Sequence, residues 1–236
     1  TAYVINGQPV NDMENGRVYW SNWMGLIDLT SSVQIQRGLG STSLAVPSAG
    51  GTVSVNTRAA EVDPGSGIKM SIGDNSYQKF TAFHNTGVNE LGWSSSFLLG
   101  FWQGDGWRNG MQGEGTTYAF SVGYTPRGGD HEFNFSLIGA GQWHHQAYYG
   151  TQLQDYLDYG PIQGDDYRKF NALYGDYQGE EFSILRNYYN KPLATFNWDW
   201  EISSRVTLAT SLYGSAGRGG GTGLRGRGSY GVSPFR

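Results

Sequence analysis

From Gly67 onward the chain alternates apolar and polar residues with a period of two, and the pattern recurs about seven times. In "FNWDWEI", Phe196, Trp198, Trp200 and Ile202 share one face, and Asn197, Asp199 and Glu201 share the other. "TYAFSVGY" sets Tyr118, Phe120, Val122 and Tyr124 against Ala119, Ser121 and Gly123; "EFNFSLIGA" sets Phe133, Phe135 and Leu137 against Asn134 and Ser136. "RVTLATSL" repeats the pattern with Val206, Leu208 and Leu212, "SFLLGF" with Phe97, Leu99 and Phe101, and "GIKMSIG" with Ile68, Met70 and Ile72. Each run predicts a strand with one apolar face and one small or polar face. "YQKFTAFH", residues 77–84, predicts a strand of ambiguous phase.

The connections between these strands alternate in length. Short turns fall at "GVNELG", "TPRGGD" and "ISSR", and long loops at 103–115, 147–190 and 217–236. Only the first hairpin, near Gly73 to Ser76, breaks the rule by being short. Short turns at one end and long loops at the other are the habit of outer-membrane barrels. Tyr124, Trp143, Trp93 and Trp200 near strand ends fit interfacial girdles. A soluble β-sandwich with one wet face shares the alternation, and the turn asymmetry is what separates the two.

Residues 1–60 are written differently. A short strand from Tyr3 to Ile5 leads into a Gly7/Pro9 turn, then a polar loop carrying Trp20 and Trp23. Two alternating runs follow, Val33 to Gln36 and Thr52 to Thr57. The organisation expected is a small domain over 1–60, a linker over 61–66 and the repeated strands over 67–236.

Composition sharpens this picture. There are 37 glycines, 15% of residues are aromatic and only 15% are charged, which disfavours a helical bundle and favours strands joined by turns. The net charge of −4 supplies no global basic field for nucleic acid. With no cysteine, there is neither a disulfide framework nor a thiolate metal site. No apolar run is long enough for a membrane helix, but closed barrels also satisfy every backbone group in lipid. The chain opens on Thr1 and ends on "GVSPFR", and a fragment is the expectation.

Three stretches carry a family resemblance: "NGQPVND" (Asn6 to Asp12), "VQIQRG" (Val33 to Gly38) and "GGTVSVNTR" (Gly50 to Arg58). In this order and spacing they resemble the end of the plug domain of TonB-dependent outer-membrane receptors. "NDMENGRVYWSNWMGL" and "QRGLGSTSLAVPSAGGT" look especially like the versions in Bacteroidota receptors. Gln34 replaces the family's commoner acidic residue, and Arg58 its commoner lysine. The resemblance implies an all-β fold: the C-terminal part of a plug, then about seven antiparallel strands of a 22-stranded transmembrane barrel. It implies an outer-membrane location and import of a scarce nutrient such as an iron chelate, cobalamin, an oligosaccharide or a peptide. TonB, with its inner-membrane motor proteins, would be partner, through a segment absent from this sequence; outer-membrane lipid would surround the wall. No cofactor, catalytic residue or metal site is implied. The family's plug arginine beside glycine faces acidic groups of the wall, so Arg37 is the latch position carried over, with Asp199 or Glu201 as partner. Gly38, Gly40, Gly50 and Gly51 would serve tight turns and close backbone approach.

The ligand-binding candidates are Trp20, Asn22 and Trp23 at the plug apex, and Trp107, Trp143 and His144 on the loops. Aromatic faces with a few amides suit sugars, aromatic chelates or peptides. His144 and His145 are neighbours on a strand and point to opposite faces, which argues against a shared metal. The pairs Asp165/Asp166 and Glu180/Glu181 read as solvated loop charge, since acid–base catalysis needs a carboxyl in a closed pocket. "GRGGGTGLRGRG" reads as a surface loop rather than an RNA-binding tract. No nucleophile elbow, phosphate loop or HExxH anchors an enzyme reading. A passive porin-like barrel and a soluble carbohydrate-binding sandwich remain the rival classes.

Overall fold

The computed structural model describes residues 1–23, 25–38, 49–148 and 150–223. Gly40 and residues 224–236, the tail of the last expected loop, lie outside the described residues.

The first 56 residues build a small sheet from β1 (Ala2–Ile5), β2 (Gln8–Pro9), β3 (Ser32–Gln36) and β4 (Thr52–Asn56), in the order β2-β1-β4-β3. β1 and β4 run parallel, with Val4 beside Ser54; the other pairs are antiparallel. Asn6 and Gly7 turn β1 into β2 with positive φ values of 49° and 85°, conformations that Asn and Gly adopt most readily. Gly51 has φ 96°, and a Cβ there would stand 2.2 Å from the Gln36 carbonyl oxygen, so only glycine lets β4 start against β3.

A larger antiparallel sheet follows: β5 (Gly65–Ile72), β6 (Gln78–Asn85), β7 (Trp93–Gly104), β8 (Gly113–Tyr124) and β9 (His131–His145). After the long insertion, β13 (Leu193–Ser203) pairs with the first half of β9, and β14 (Val206–Ser215) pairs with β13. The seven strands expected from alternation are all present. β6, whose phase was ambiguous, turns Phe80 outward and sets Thr81 inward, 2% exposed.

The 147–190 segment is not a plain loop. It contains α1 (Leu153–Gln163), opened by a reciprocal capping box between Gln152 and Asp155. A hairpin follows, β10 (Tyr174–Tyr177) and β11 (Glu180–Ser183), whose two-residue turn has positive φ at Gln178 and Gly179. β12 (Arg186–Asn190) continues the sheet by pairing with the far end of β9, and β15 (Arg218–Gly221) pairs with β12. Residues 186–203 are thus one strand interrupted at Lys191–Pro192, where proline lacks the N–H a ladder needs.

The two faces of the large sheet, hereafter the wall, differ as the alternation requires. Ile68, Met70, Ile72, Phe97, Leu99, Phe101, Leu208 and Leu212 point outward and are exposed. At the short-turn end Trp93 stacks on Tyr124 at 4.5 Å, and the row continues through Phe133, Trp198 and Trp200 at 6.0–6.3 Å steps. The inward face covers the small sheet and is less uniformly polar than the sequence suggests. Leu98, Ala119, Ile138 and Leu193 reach inward to meet Ile5, Leu26, Leu29 and Val55, forming the buried hydrophobic cluster. A neighbouring sheet, rather than solvent, faces these positions, so apolar residues there are favourable.

Candidate functional site

Two regions combine the candidate side chains: the seam between small sheet and wall, and two clefts at the long-loop end.

The seam is polar where it is not part of the hydrophobic cluster. Asn6, 4% exposed, donates from Nδ2 to Thr57 Oγ1 at 2.8 Å and to Thr195 Oγ1 at 3.3 Å, while Thr57 N donates to Asn6 Oδ1 at 2.8 Å. Asn197 Nδ2 donates to the Asn6 carbonyl at 3.0 Å. Ser121, Asn134 and Ser136 extend the network, and Ser121 Oγ reaches the Thr57 carbonyl at 3.0 Å. Most of these buried polar groups find a partner within the seam, on their own sheet or across it, as burial requires; Asn197 Oδ1 has none among the described residues.

Two ion clusters of opposite polarity flank this network. Arg58, beyond β4, places Nη1 2.8 Å from Glu132 Oε1 and Nη2 2.7 Å from Asp199 Oδ2, with Glu61 at 3.9 Å. Burial works against its charge, but hydrogen bonding to Asp199 and the field of both wall carboxylates outweigh that and raise its pKa above the ordinary value. On the other side, Asp28 of the small domain meets wall cations, Lys69 Nζ at 2.7 Å and Lys79 Nζ at 3.6 Å.

This corrects the expected latch. Asp199 is engaged, but by Arg58; among the described residues Arg37 and Glu201 have no ion-pair partner. Arg37 follows β3, which lies at the edge of the small sheet with Val33 and Ile35 exposed, whereas Arg58 leaves β4 toward the wall. Glu201 shares the inward phase of Asp199 but is exposed near the β13 end, beyond the small sheet.

At the long-loop end, Tyr77, Trp102, Trp107, Met111, Asp74, Asn75 and His144 line a cleft of ≈ 360 Å³ with a floor of glycines. A second, of ≈ 490 Å³, is lined by Tyr19, Ser21, Asn22, His144, Gln146, Asn187, Tyr189, Lys191 and Arg218 among others. His144 belongs to both. Gln142 Nε2 donates to the Ser21 carbonyl at 2.7 Å and to Tyr189 Oη at 2.6 Å, and Tyr189 also hydrogen-bonds the Ser21 hydroxyl, tying wall to small domain beneath the second cleft.

Of the expected ligand contacts, His144 and Trp107 meet in the first cleft, and His144 and Asn22 in the second. Trp20 is half exposed and packs edge-to-face on Tyr3 at 4.9 Å. Trp23 packs against the hydrophobic cluster instead of facing a cleft. Trp143 is on the outward face, one residue out of phase with His144; its indole donates to Glu114 at 2.8 Å and lies under Arg186 at 4.4 Å. Trp102 and Tyr189 were not among the candidates. The signal for Trp102 was its phase: it follows Leu98 and Gly100 on the inward face, opposite Phe97, Leu99 and Phe101.

No protein-family model and no curated protein matches this chain. Solved structures do. The ferric-catecholate import receptor Fiu from E. coli K12, in its open form, superposes with TM-score 0.64 at 16% identity, over 92% of this chain and 32% of that one. The siderophore receptor PiuA from Acinetobacter baumannii gives 0.62 at 12%, over 93% and 29%. The alcaligin outer-membrane receptor FauA from Bordetella pertussis gives 0.62 at 11%, over 94% and 31%. The chain spans about a third of the length of these relatives. Its fold is that of the plug and adjoining barrel wall of TonB-dependent outer-membrane receptors.

Proposed function

We propose that this chain forms part of an outer-membrane receptor that captures a scarce nutrient at the long-loop end and admits it when TonB pulls on the plug. The observation that carries the reading is the seam: a small sheet seated on the inward face of a barrel wall, held by a buried hydrogen-bonded network centred on Asn6 and by ion clusters at Arg58 and Asp28. A passive pore has no use for such a seat. Many polar links, each net worth about 1 kcal/mol, suit an element that must hold firmly at rest and yield stepwise under load.

The exposed apolar outer face and its aromatic row support a lipid-facing wall. The short-turn end would face the periplasm and the clefts the outside. Asn22, Trp107 and His144 are then ligand contacts, Arg58 with Asp199 and Glu132 is the plug–wall latch, and TonB with its inner-membrane motor proteins supplies the work. The ligand is bound and released without chemical change.

The reading is tested by fractionating cells that carry the protein. It should sediment with the outer membrane, resist alkaline carbonate extraction and shift in electrophoretic mobility on boiling, as closed barrels do. A carbonate-soluble band with no heat shift would sink the membrane-barrel reading.

A further inference from the structure

Trp102 lies in an unusual setting. A Cβ built on Gly115 would stand 2.6 Å from its Nε1, and one on Gly113 would stand 3.2 Å from its Cη2. The two ends of the indole therefore rest on two successive inward-facing glycines of β8, and the ring lies along the wall. A Cβ at Gly115 would force the ring to shift, and one at Gly113 would crowd both the ring and the adjoining strand, where His144 Cβ would stand 2.9 Å away. The same paving recurs beside it: Cβ atoms on Gly104 and Gly73 would stand 3.2 and 3.5 Å from the Tyr77 ring. Trp107 lines the same cleft and is 55% exposed.

The polar groups of this cleft are few. Asp74, Asn75 and His144 line it, and no Lys or Arg does among the described residues. Lys79, beside Trp102 in register, is turned instead to Asp28 of the plug. A cleft whose one ionised lining group is a carboxylate does not favour an anionic chelate. An indole face is negative and attracts weakly positive C–H groups, while amide and carboxylate oxygens accept from hydroxyls.

We propose that the Trp102–Trp107 cleft is a sugar-binding subsite, in which a neutral pyranose ring stacks its C–H face on Trp102 and hydrogen-bonds through its rim to Asp74 and Asn75. The cleft volume, ≈ 360 Å³, lies within the range of small-ligand sites, roughly 300–1,000 Å³. The proposal rests on the receptor reading above and makes oligosaccharide the cargo class.

The test uses the detergent-purified protein on an array of neutral oligosaccharides, with ferric citrate and a ferric catecholate as parallel probes, followed by calorimetry on the best glycan. A neutral glycan should bind, and Trp102→Ala and Trp107→Ala should each weaken it at least tenfold; Trp107 is exposed, so its variant reports even if Trp102→Ala does not fold. Glycan binding untouched by Trp107→Ala and by Trp102→Phe overturns the site. Iron chelates binding while no glycan does overturns the sugar assignment and leaves the receptor reading standing. If no probe binds, the sugar assignment falls, and the fractionation experiment judges the receptor reading by itself.

Discussion

Arg58 Nη2 stands 2.7 Å from Asp199 Oδ2, a contact between the end of the plug sheet and the inward face of the wall. With Glu132 at 2.8 Å, the guanidinium is held by two carboxylates from adjacent wall strands. All three side chains are a quarter to a third exposed, so the pair belongs between the weak surface bridges and the costly buried ones.

Replacing Arg58 with Gln should therefore destabilise the plug–wall seam by about 1.5–3 kcal/mol, the range for hydrogen bonds to charged groups. Arg37→Gln should change it by less than about 0.5 kcal/mol, as for a surface substitution. A denaturant series on both variants, with Asp199→Asn closing a double-mutant cycle, measures this; equal effects at 37 and 58 would refute the assignment of the latch to Arg58.

Gly25 of the plug has φ 83°, and a Cβ there would meet Thr117 Cγ2 of the wall at 2.5 Å. Gly25→Ala should cost about 1–3 kcal/mol through overpacking and backbone strain. Adding Thr117→Ser, which removes the clashing methyl, should recover part of the loss but not the backbone component. A double variant no more stable than the single one would show that the steric contact is not the cause.

Asn171 is fully buried and ties the insertion together. Its Nδ2 donates to the Asn109 carbonyl at 2.9 Å, its Oδ1 accepts from Leu173 N at 3.1 Å, and its own N–H donates to Gln163 Oε1 at 3.0 Å. Asn171→Ala keeps the backbone bond to Gln163 but leaves the Asn109 carbonyl and the Leu173 N–H without their side-chain partner, at a cost of about 1–3 kcal/mol per buried group. Limited proteolysis should then cut residues 150–185 at least tenfold faster than in the parent, while the wall stays intact. Unchanged cleavage would mean that the insertion is held elsewhere.

Tyr174, in the β10–β11 hairpin, has its phenol pushed up to about 12 by burial and by hydrogen bonding to Glu181. A group whose pKa is raised on folding adds stability that is fully present below its unfolded value, near 10, and is lost as pH climbs through the folded value. The hairpin should accordingly loosen between about pH 10 and 12. The difference in ultraviolet titration between the parent and Tyr174→Phe should show one phenol ionising near 12; a midpoint near 10 would contradict the burial.

What alternation alone determined is substantial. Period-two writing states which side of a strand each residue takes, and so Phe196, Trp198 and Trp200 could be set outward and Asn197 and Asp199 inward with no knowledge of neighbours. Turn length marked the two ends of the wall by the same local logic. His144 and His145 separate onto opposite faces for that reason too. The tertiary structure decided everything that depends on what an inward face meets. Leu98 and Ile138 are buried there because the plug brings Ile5 and Leu26 against them. The ion pair with Asp199 fell to Arg58 because β4 leads toward the wall while β3, with Arg37 after it, lies at the sheet edge. Trp102 became a platform only because Gly113 and Gly115, on the next strand, leave it room. Strand phase is a property of a few consecutive residues; ion pairs, glycine floors and shared cores are relations between segments distant in the chain, and only folding brings them into contact.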